Sequence, residues 1–353
     1  MPICTIPNVA IKGIAACVPK EVEHNKDFAY LEEKELAFLI KTIGVERRRK
    51  IKDATTCADL CFESAKSLLE NLNWDPNEVE LLIYVSQTRD FLLPCTAIIL
   101  QDRLGLPKSA MTFDVPLGCS GFPYGLSIIA GIMSSSKIKK GLLLCGDTST
   151  LTVSSNDKKT YPLFGDAGSA TALEYDEEAT DMIFNTGSDG SGYDAILIPG
   201  GGAREPLDDG EHEIDKMRLG FKKGRSHLHM DGTKVFEFSI HTVPKSITEL
   251  LHKLNVSTDD IDFFLMHQAN LIMNETIRKK LKFPIEKVPY SLKDFGNTSS
   301  ASIPLTMVTQ LRDKISKGKH TLLVSGFGVG LSWASAILEI KDIYILKLIE
   351  YEC

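Results

Sequence analysis

Glu78-Val-Glu-Leu-Leu-Ile-Tyr-Val85 and Asp260-Ile-Asp-Phe-Phe-Leu-Met-His267 lie 182 positions apart and share one pattern, an acidic start followed by an uninterrupted apolar run. Apolar runs without polar alternation belong to strands covered on both faces, as in a mostly parallel sheet sandwiched by helices. A second echo pairs Leu142-Leu-Leu-Cys-Gly146 with Leu322-Leu-Val-Ser-Gly326, and a third sets the glycine-then-helix turn at Cys119 against Gly296-Asn297-Thr-Ser. Strand, helix and strand recurring at one spacing predict two copies of a βα-rich unit in a single α/β body. The join falls near 175–185, which gives an N-terminal half, residues 1–178, and a C-terminal half, residues 179–353.

Working outward, Thr112-Phe-Asp-Val-Pro-Leu-Gly-Cys119-Ser-Gly-Phe-Pro-Tyr-Gly-Leu-Ser127 reads as a strand entering a tight turn that presents Cys119 at the start of a helix. Gly118 and Gly121 allow close backbone approach and Pro123 suits a first helical turn, while Leu126, Ile128, Ile129, Ile132 and Met133 supply an apolar face. Free N–H groups and the positive end of the macrodipole at such a start favour the thiolate, so Cys119 is expected to be ionised readily.

The 353 residues, 43% hydrophobic and 25% charged, suffice for two core-forming units, and a net charge of −7 argues against a general nucleic-acid or anionic-membrane surface. No stretch is long and apolar enough to span a bilayer. Met1-Pro-Ile-Cys-Thr-Ile-Pro7 lacks the basic start and apolar run of a signal peptide, so a cytoplasmic protein is expected. Eight cysteines without paired Cys-x-x-Cys spacing suggest neither zinc nor a disulfide framework. Strands are predicted over 8–19 and 80–86. Helices are predicted over 34–43 and 56–72, the latter capped by Thr55 or Thr56 and packing Cys57 and Cys61 inward. Val45-Glu-Arg-Arg-Arg-Lys50 reads as a solvated, charge-rich connection, with a phosphate contact as the alternative. Residues 195–232, rich in Gly and charge and including Lys222-Lys-Gly-Arg225, read as a surface excursion bordering an active-site entrance.

In open α/β sheets the ligand crevice lies beyond the carboxyl ends of the strands. Cys119 follows one strand, His267 ends another, and Asn297 opens a helix after Tyr290-Ser-Leu-Lys-Asp-Phe-Gly296. Alone, the histidine reads as structural and the asparagine as a helix cap. At three equivalent strand ends they form with Cys119 a constellation for acyl transfer.

Five motifs in order, Asp114-Val-Pro-Leu-Gly-Cys-Ser-Gly-Phe122, Phe164-Gly-Asp-Ala-Gly168, His267-Gln-Ala-Asn270, Gly296-Asn-Thr-Ser-Ser-Ala-Ser-Ile-Pro304 and Ser325-Gly-Phe-Gly-Val-Gly-Leu-Ser-Trp333, resemble the β-ketoacyl-acyl-carrier-protein synthase III group of thiolase-fold condensing enzymes. The resemblance spans nearly the whole chain. It implies a duplicated five-layered αβαβα thiolase fold, a homodimer and a Cys119, His267 and Asn297 active site, with Leu93 reaching across the dimer into the acyl pocket of the second copy. The implied chemistry is acyl transfer from a thioester onto Cys119, then decarboxylative Claisen condensation with malonyl-acyl-carrier protein. Backbone N–H groups of Cys119 and Val329 would hold the oxyanion, on a loop that Gly328 and Gly330 keep close, and His267 Nε2 and Asn297 would stabilise the enolate. No bound cofactor or metal is implied; coenzyme A or acyl-carrier-protein thioesters are the substrates and acyl carrier protein is the partner.

Two positions depart from the family pattern. Where members that start from acyl-coenzyme A carry a tryptophan and an arginine, this chain has Phe38-Leu-Ile-Lys-Thr42, and where another arginine follows His-Gln-Ala-Asn it has Ile272. Lys41, Arg47 and Arg278 are candidates to replace these phosphate contacts, and Lys222, Lys223, Arg225 and the Arg47–Lys50 run to meet an acidic carrier protein. A hydroxymethylglutaryl-type synthase or a plain acyltransferase would keep the cysteine and change the second substrate, whereas a scaffold has no need of three reactive groups at one crevice.

Overall fold

The computed structural model describes residues 3–52, 54–207 and 224–352, and its two sheets carry the repeat. In the first, Leu81–Val85 lies between Met111–Val115 and Lys140–Thr148, parallel to both, and the sheet continues antiparallel through Asp166–Tyr175 to Val9–Pro19. In the second, Phe263–Met266 runs parallel to Lys319–Gly328, which continues antiparallel through Ser332–Lys341 to Met182–Ser188. The echoed segments thus occupy equivalent strands. Every residue of Leu81–Val85 is buried, as its unbroken apolar run requires.

The ends of the chain cross over. Ile3–Ile6 is an antiparallel edge strand of the second sheet, whereas Tyr344–Ile345 and Ile349–Tyr351 add in parallel to Val9–Pro19 of the first. The segment after 341, which carries no motif, therefore pairs along a strand that would otherwise be an open sheet edge.

Between the sheets lie Gly121–Ser136 and Ser302–Thr306, the latter continuing as a wider helical turn over Met307–Leu311. Leu126, Ile129 and Met133 from the first helix and Ile303, Leu305 and Val308 from the second fill the core that both sheets share. A helix covered on both sides keeps no solvent face, which accounts for the nearly continuous apolar sequence of Gly121–Ser136. Cys57–Leu72 and Thr96–Arg103 cover the outside of the first sheet, Gly232–Leu254 and Leu271–Lys280 that of the second. The result is five layers, helix, sheet, helix, sheet, helix. Thr56 caps Cys57–Leu72 in a reciprocal box with Asp59, and Cys57 and Cys61 are buried on its packed face.

The basic run differs from its expected solvated state. Arg47–Arg49 is a short strand against Val22–His24, and Arg48 is only 1% exposed. Its guanidinium pairs with Glu23, donates to the Tyr161 and Phe164 carbonyls and stacks 4.3 Å from the Tyr161 ring, while Arg49 pairs with Glu350 at 2.7 Å. A buried cation needs such partners, so this arginine serves the fold rather than a ligand. Among the described residues no helix is long and apolar enough to cross a membrane, and no group of three or more His, Cys, Asp or Glu could hold a metal ion.

Candidate active site

Strand ends and helix starts deliver three side chains to one place. Met111–Val115 ends just before Cys119 and Gly121–Ser136 begins just after it. A Cβ on Gly121 would lie 2.6 Å from Val85 Cγ1, so only glycine lets the helix start so near the strand. His267 follows Phe263–Met266 directly, its N–H donating to the Ser325 carbonyl at 2.8 Å. Asn297 is bridged to Phe164, with its N–H on the Leu163 carbonyl at 2.8 Å and its carbonyl accepting from Gly165 at 3.0 Å. The Phe164-Gly-Asp-Ala-Gly168 motif therefore fixes Asn297. Cys119, His267 and Asn297 line one cavity of about 360 Å³.

The glycine loop closes over the thiol. A Cβ on Gly328 would sit 2.7 Å from Cys119 Cβ and 3.0 Å from Sγ, and the backbone N–H groups of Val329 and Cys119 itself favour a charged sulfur. The loop is pinned from behind. Ser332 Oγ donates to the Val329 carbonyl at 2.8 Å and lies 2.7 Å from Ser120 Oγ, next to the nucleophile.

Electrostatics reverse one expectation. Burial, with the Asp147 carboxylate as second cause, pushes the Cys119 thiol up to about 11, and the hydrogen bonds from Val329, Ser299 and its own N–H only partly oppose this. A charge at a helix start is favoured modestly, whereas the desolvation of a half-buried thiol beside a carboxylate is a larger penalty, so the resting group is a thiol. Burial likewise drives His267 down to about 3, against a hydrogen bond with the Ser299 backbone, and the ring is neutral. Its Nδ1 lies 2.8 Å from Ser302 Oγ. Asn297 Oδ1 accepts from the Ser299 N–H at 2.9 Å and Nδ2 donates one hydrogen toward the Ala269 carbonyl at 3.5 Å, which leaves one Nδ2 hydrogen for the cavity.

Known proteins resemble this chain along most of its length. The sequence family described as 3-oxoacyl-[acyl-carrier-protein (ACP)] synthase III matches residues 113–190, and the one describing its C-terminal part matches 251–340. The β-ketoacyl-[acyl-carrier-protein] synthase III of Rhodopirellula baltica is 34% identical over 352 residues, covering 94% of this chain and 98% of that protein. The chain belongs to the β-ketoacyl-acyl-carrier-protein synthase III family. The crystal structure of a 3-oxoacyl-(acyl-carrier protein) synthase from Burkholderia xenovorans LB400 matches with a TM-score of 0.93 at 37% identity, covering 99% of each chain. A priming β-ketosynthase from the R1128 polyketide pathway matches at 0.82 and 25% identity, over 96% of this chain and 97% of that one. This synthase is thus a thiolase-fold condensing acyltransferase.

The remaining predicted residues of the synthase are placed unevenly. Ile196–Leu197 and His229–Met230 form a two-stranded ribbon, and Ile196, Leu197, Leu228 and Met230 wall the cavity together with Met273 and Phe327, so the flanks of the 195–232 segment do border the site. Lys222 and Lys223 lie outside the described residues. Arg225 pairs with Glu205 at 2.9 Å and Arg47 with Asp294 at 2.8 Å. Arg278 is held by Glu275 at 2.8 and 2.7 Å and donates to the Phe283 carbonyl, so its guanidinium is committed to the fold. Lys41 is exposed on Glu33–Ile43, as are Phe38 and Ile272 on their helices. Leu93 is 87% exposed and sits outside the cavity of its own chain. Asp147, Ser299 and Ser302 escaped sequence reasoning; an aspartate inside the apolar strand Lys140–Thr148 was the one available signal.

Proposed function

We propose that Cys119 takes an acyl group from a carrier thioester and that the acyl-enzyme then condenses with malonyl-acyl-carrier protein, releasing carbon dioxide and a β-ketoacyl thioester. One observation carries this reading: a thiol, a neutral imidazole, an amide and the Val329 N–H meet in one cavity with mostly apolar walls. In acylation, the N–H groups of Cys119 and Val329 face the developing oxyanion, and one such donor is typically worth ~3 kcal/mol of barrier. In condensation, loss of carbon dioxide leaves an enolate on the thioester oxygen. His267 Nε2, with Nδ1 beside Ser302 Oγ, and the Asn297 Nδ2 hydrogen not directed at the Ala269 carbonyl are the donors that would stabilise it. A neutral ring suits that task, since it donates a hydrogen bond without adding a buried charge.

The starter arrives on acyl carrier protein in preference to coenzyme A. Thr42 and Ile272 remove two cations that would grip phosphates, and Arg47, Arg225 and Arg278 already carry acidic partners. Lys41, Lys222 and Lys223 are then the basic groups that would meet an acidic carrier. The enzyme works as a cytoplasmic homodimer in which the exposed Leu93 reaches the second copy's acyl pocket. Intact-mass analysis after mixing with a panel of acyl donors tests the first step, and carbon dioxide release from malonyl-acyl-carrier protein tests the second. No adduct on Cys119 from any donor would overturn the reading.

A further inference from the structure

Ser299 touches all three residues assigned to the chemistry. Its N–H donates to Asn297 Oδ1 at 2.9 Å, its backbone favours the protonated His267 ring, and its hydroxyl, in the same cavity as Cys119 and Asp147, favours the charged form of both. A Cβ on Gly118 would come within 3.1 Å of the Ser299 Oγ, which sets that hydroxyl against the turn carrying the nucleophile. Ser299 is 4% exposed at a φ of 51°, in the left-handed region that favours glycine, so a serine here is held against backbone strain.

Behind it lies a carboxylate that the mechanism above does not use. Asp147 is 1% exposed and lines the same cavity. Its Oδ1 accepts from Gln87 N–H at 2.7 Å, Ser86 Oγ at 3.0 Å and Thr88 N–H at 3.2 Å, and Ser300 Oγ approaches Oδ2 at 3.5 Å. Its partners are amides and hydroxyls, and burial raises it above the usual carboxylate range, which makes it a stronger proton acceptor than an exposed aspartate.

Acylation has to remove the thiol proton inside a cavity with mostly apolar walls. His267 is a poor acceptor there, because burial depresses its basicity and its Nδ1 is engaged with Ser302. Release of the proton to bulk water would leave two buried anions, the thiolate and Asp147, in one cavity. Transfer between those two groups leaves one negative charge before and after, and so avoids desolvating a second anion.

We propose that Asp147, acting through the Ser299 hydroxyl, receives the Cys119 proton during acylation. The thiol hydrogen moves to Ser299 Oγ as the Ser299 hydroxyl hydrogen moves to the Asp147 carboxylate, and the Sγ electron pair forms the bond to the thioester carbon. When the tetrahedral intermediate collapses, the carbon–sulfur bond to the carrier breaks and its electron pair stays on the carrier sulfur. The proton returns through Ser299 to that sulfur, so protons and electrons balance. Ser299 contacts the reacting sulfur; Asp147 acts through it.

The inference rests on Cys119 being the acylated residue, and the test separates the two. Ser299→Gly removes the hydroxyl and suits the left-handed backbone; Asp147→Asn removes the base. Wild type, both single variants and the double variant are mixed with butyryl-coenzyme A and butyryl-acyl-carrier protein, quenched, and the Cys119 adduct counted by intact mass from about pH 6 to pH 10, in water and in deuterium oxide. At about pH 7 each single variant acylates ~100-fold more slowly than wild type, the double variant is no slower than either, and the losses shrink as pH approaches the thiol's own ionisation. Wild type shows a solvent isotope effect that the variants lack. Asp147→Asn acylating as fast as wild type or faster, as removal of a like charge alone would produce, overturns the relay, and so do losses that multiply in the double variant. Melting curves establish that each variant is folded, and if Asp147→Asn is not, the pH profile of Ser299→Gly decides alone. A wild-type adduct with unaffected variants overturns the relay only; no wild-type adduct from either donor overturns the role of Cys119 and the relay with it.

Discussion

Gly328→Ala is the most incisive single change that the site geometry suggests. The added Cβ would lie 2.7 Å from Cys119 Cβ and 3.0 Å from Sγ, where carbon atoms in contact sit about 3.5 to 4.0 Å apart. Something has to move by about 1 Å. The nucleophile cannot yield easily, because a Cβ on Gly326 would already meet the Cys119 carbonyl at 2.8 Å, which shows how closely this strand packs on the turn. The glycine loop moves instead, and it takes the Val329 N–H away from the position of the oxyanion. Loss of one such donor corresponds to roughly 100- to 1,000-fold in rate, and a displacement of about 1 Å alone to roughly 100-fold. Single-turnover acylation of Cys119, followed by rapid quench and intact mass, is therefore expected to fall at least ~100-fold while the protein remains folded by circular dichroism. A folded alanine variant that acylates within about threefold of wild type would refute the assignment of Val329 as an oxyanion donor.

Four further outcomes are expected. Cys119→Ala abolishes the acyl adduct and keeps the fold, so a labelled adduct on the alanine variant would sink the nucleophile assignment. His267→Ala and Asn297→Ala still acylate Cys119 but fail to decarboxylate malonyl thioester; a variant that loses only acylation would show its role to be wrong. With a thiol near 11, iodoacetamide labelling of Cys119 should climb about tenfold per pH unit from neutrality to about pH 10, and a plateau near neutrality would contradict the buried-thiol electrostatics. Acylation from acyl-carrier-protein thioesters should outpace that from matching coenzyme A thioesters and slow more on added salt, since two missing phosphate contacts at ~1.5 to 3 kcal/mol each weaken coenzyme A by roughly a hundredfold or more; equal rates would count against the carrier assignment.

What the sequence made legible follows from the range of the physics involved. The unbroken apolar runs at 78–85 and 260–267 are local signals, and they recovered equivalent strands in two sheets. The turn around Cys119 was readable because its glycines and proline act within a few residues. The crossing of the chain ends was not, since Tyr344–Ile345 and Ile3–Ile6 choose their sheets by pairing with strands remote in sequence. Arg48 was misread for a related reason: a basic run looks solvated until Glu23 and the Tyr161 ring are brought around it. Ser299 was quoted inside a motif but given no role, because its significance lies in contacts with Cys119, Asn297 and Asp147, each from a different segment.

The overturned thiolate expectation bears on how both half-reactions share one cavity. A resting thiolate would stand as a second anion beside buried Asp147, and in a low-dielectric site that arrangement is strongly disfavoured. A resting thiol and a neutral His267 leave Asp147 as the charge already compensated by surrounding amide and hydroxyl donors. On the proposed mechanism new charge then arises only with the reactants, on an oxyanion facing the Cys119 and Val329 N–H groups and on an enolate facing His267 and Asn297. Donors already in place would stabilise that charge in the transition state without reorganising, and more strongly between mostly apolar walls than in open water.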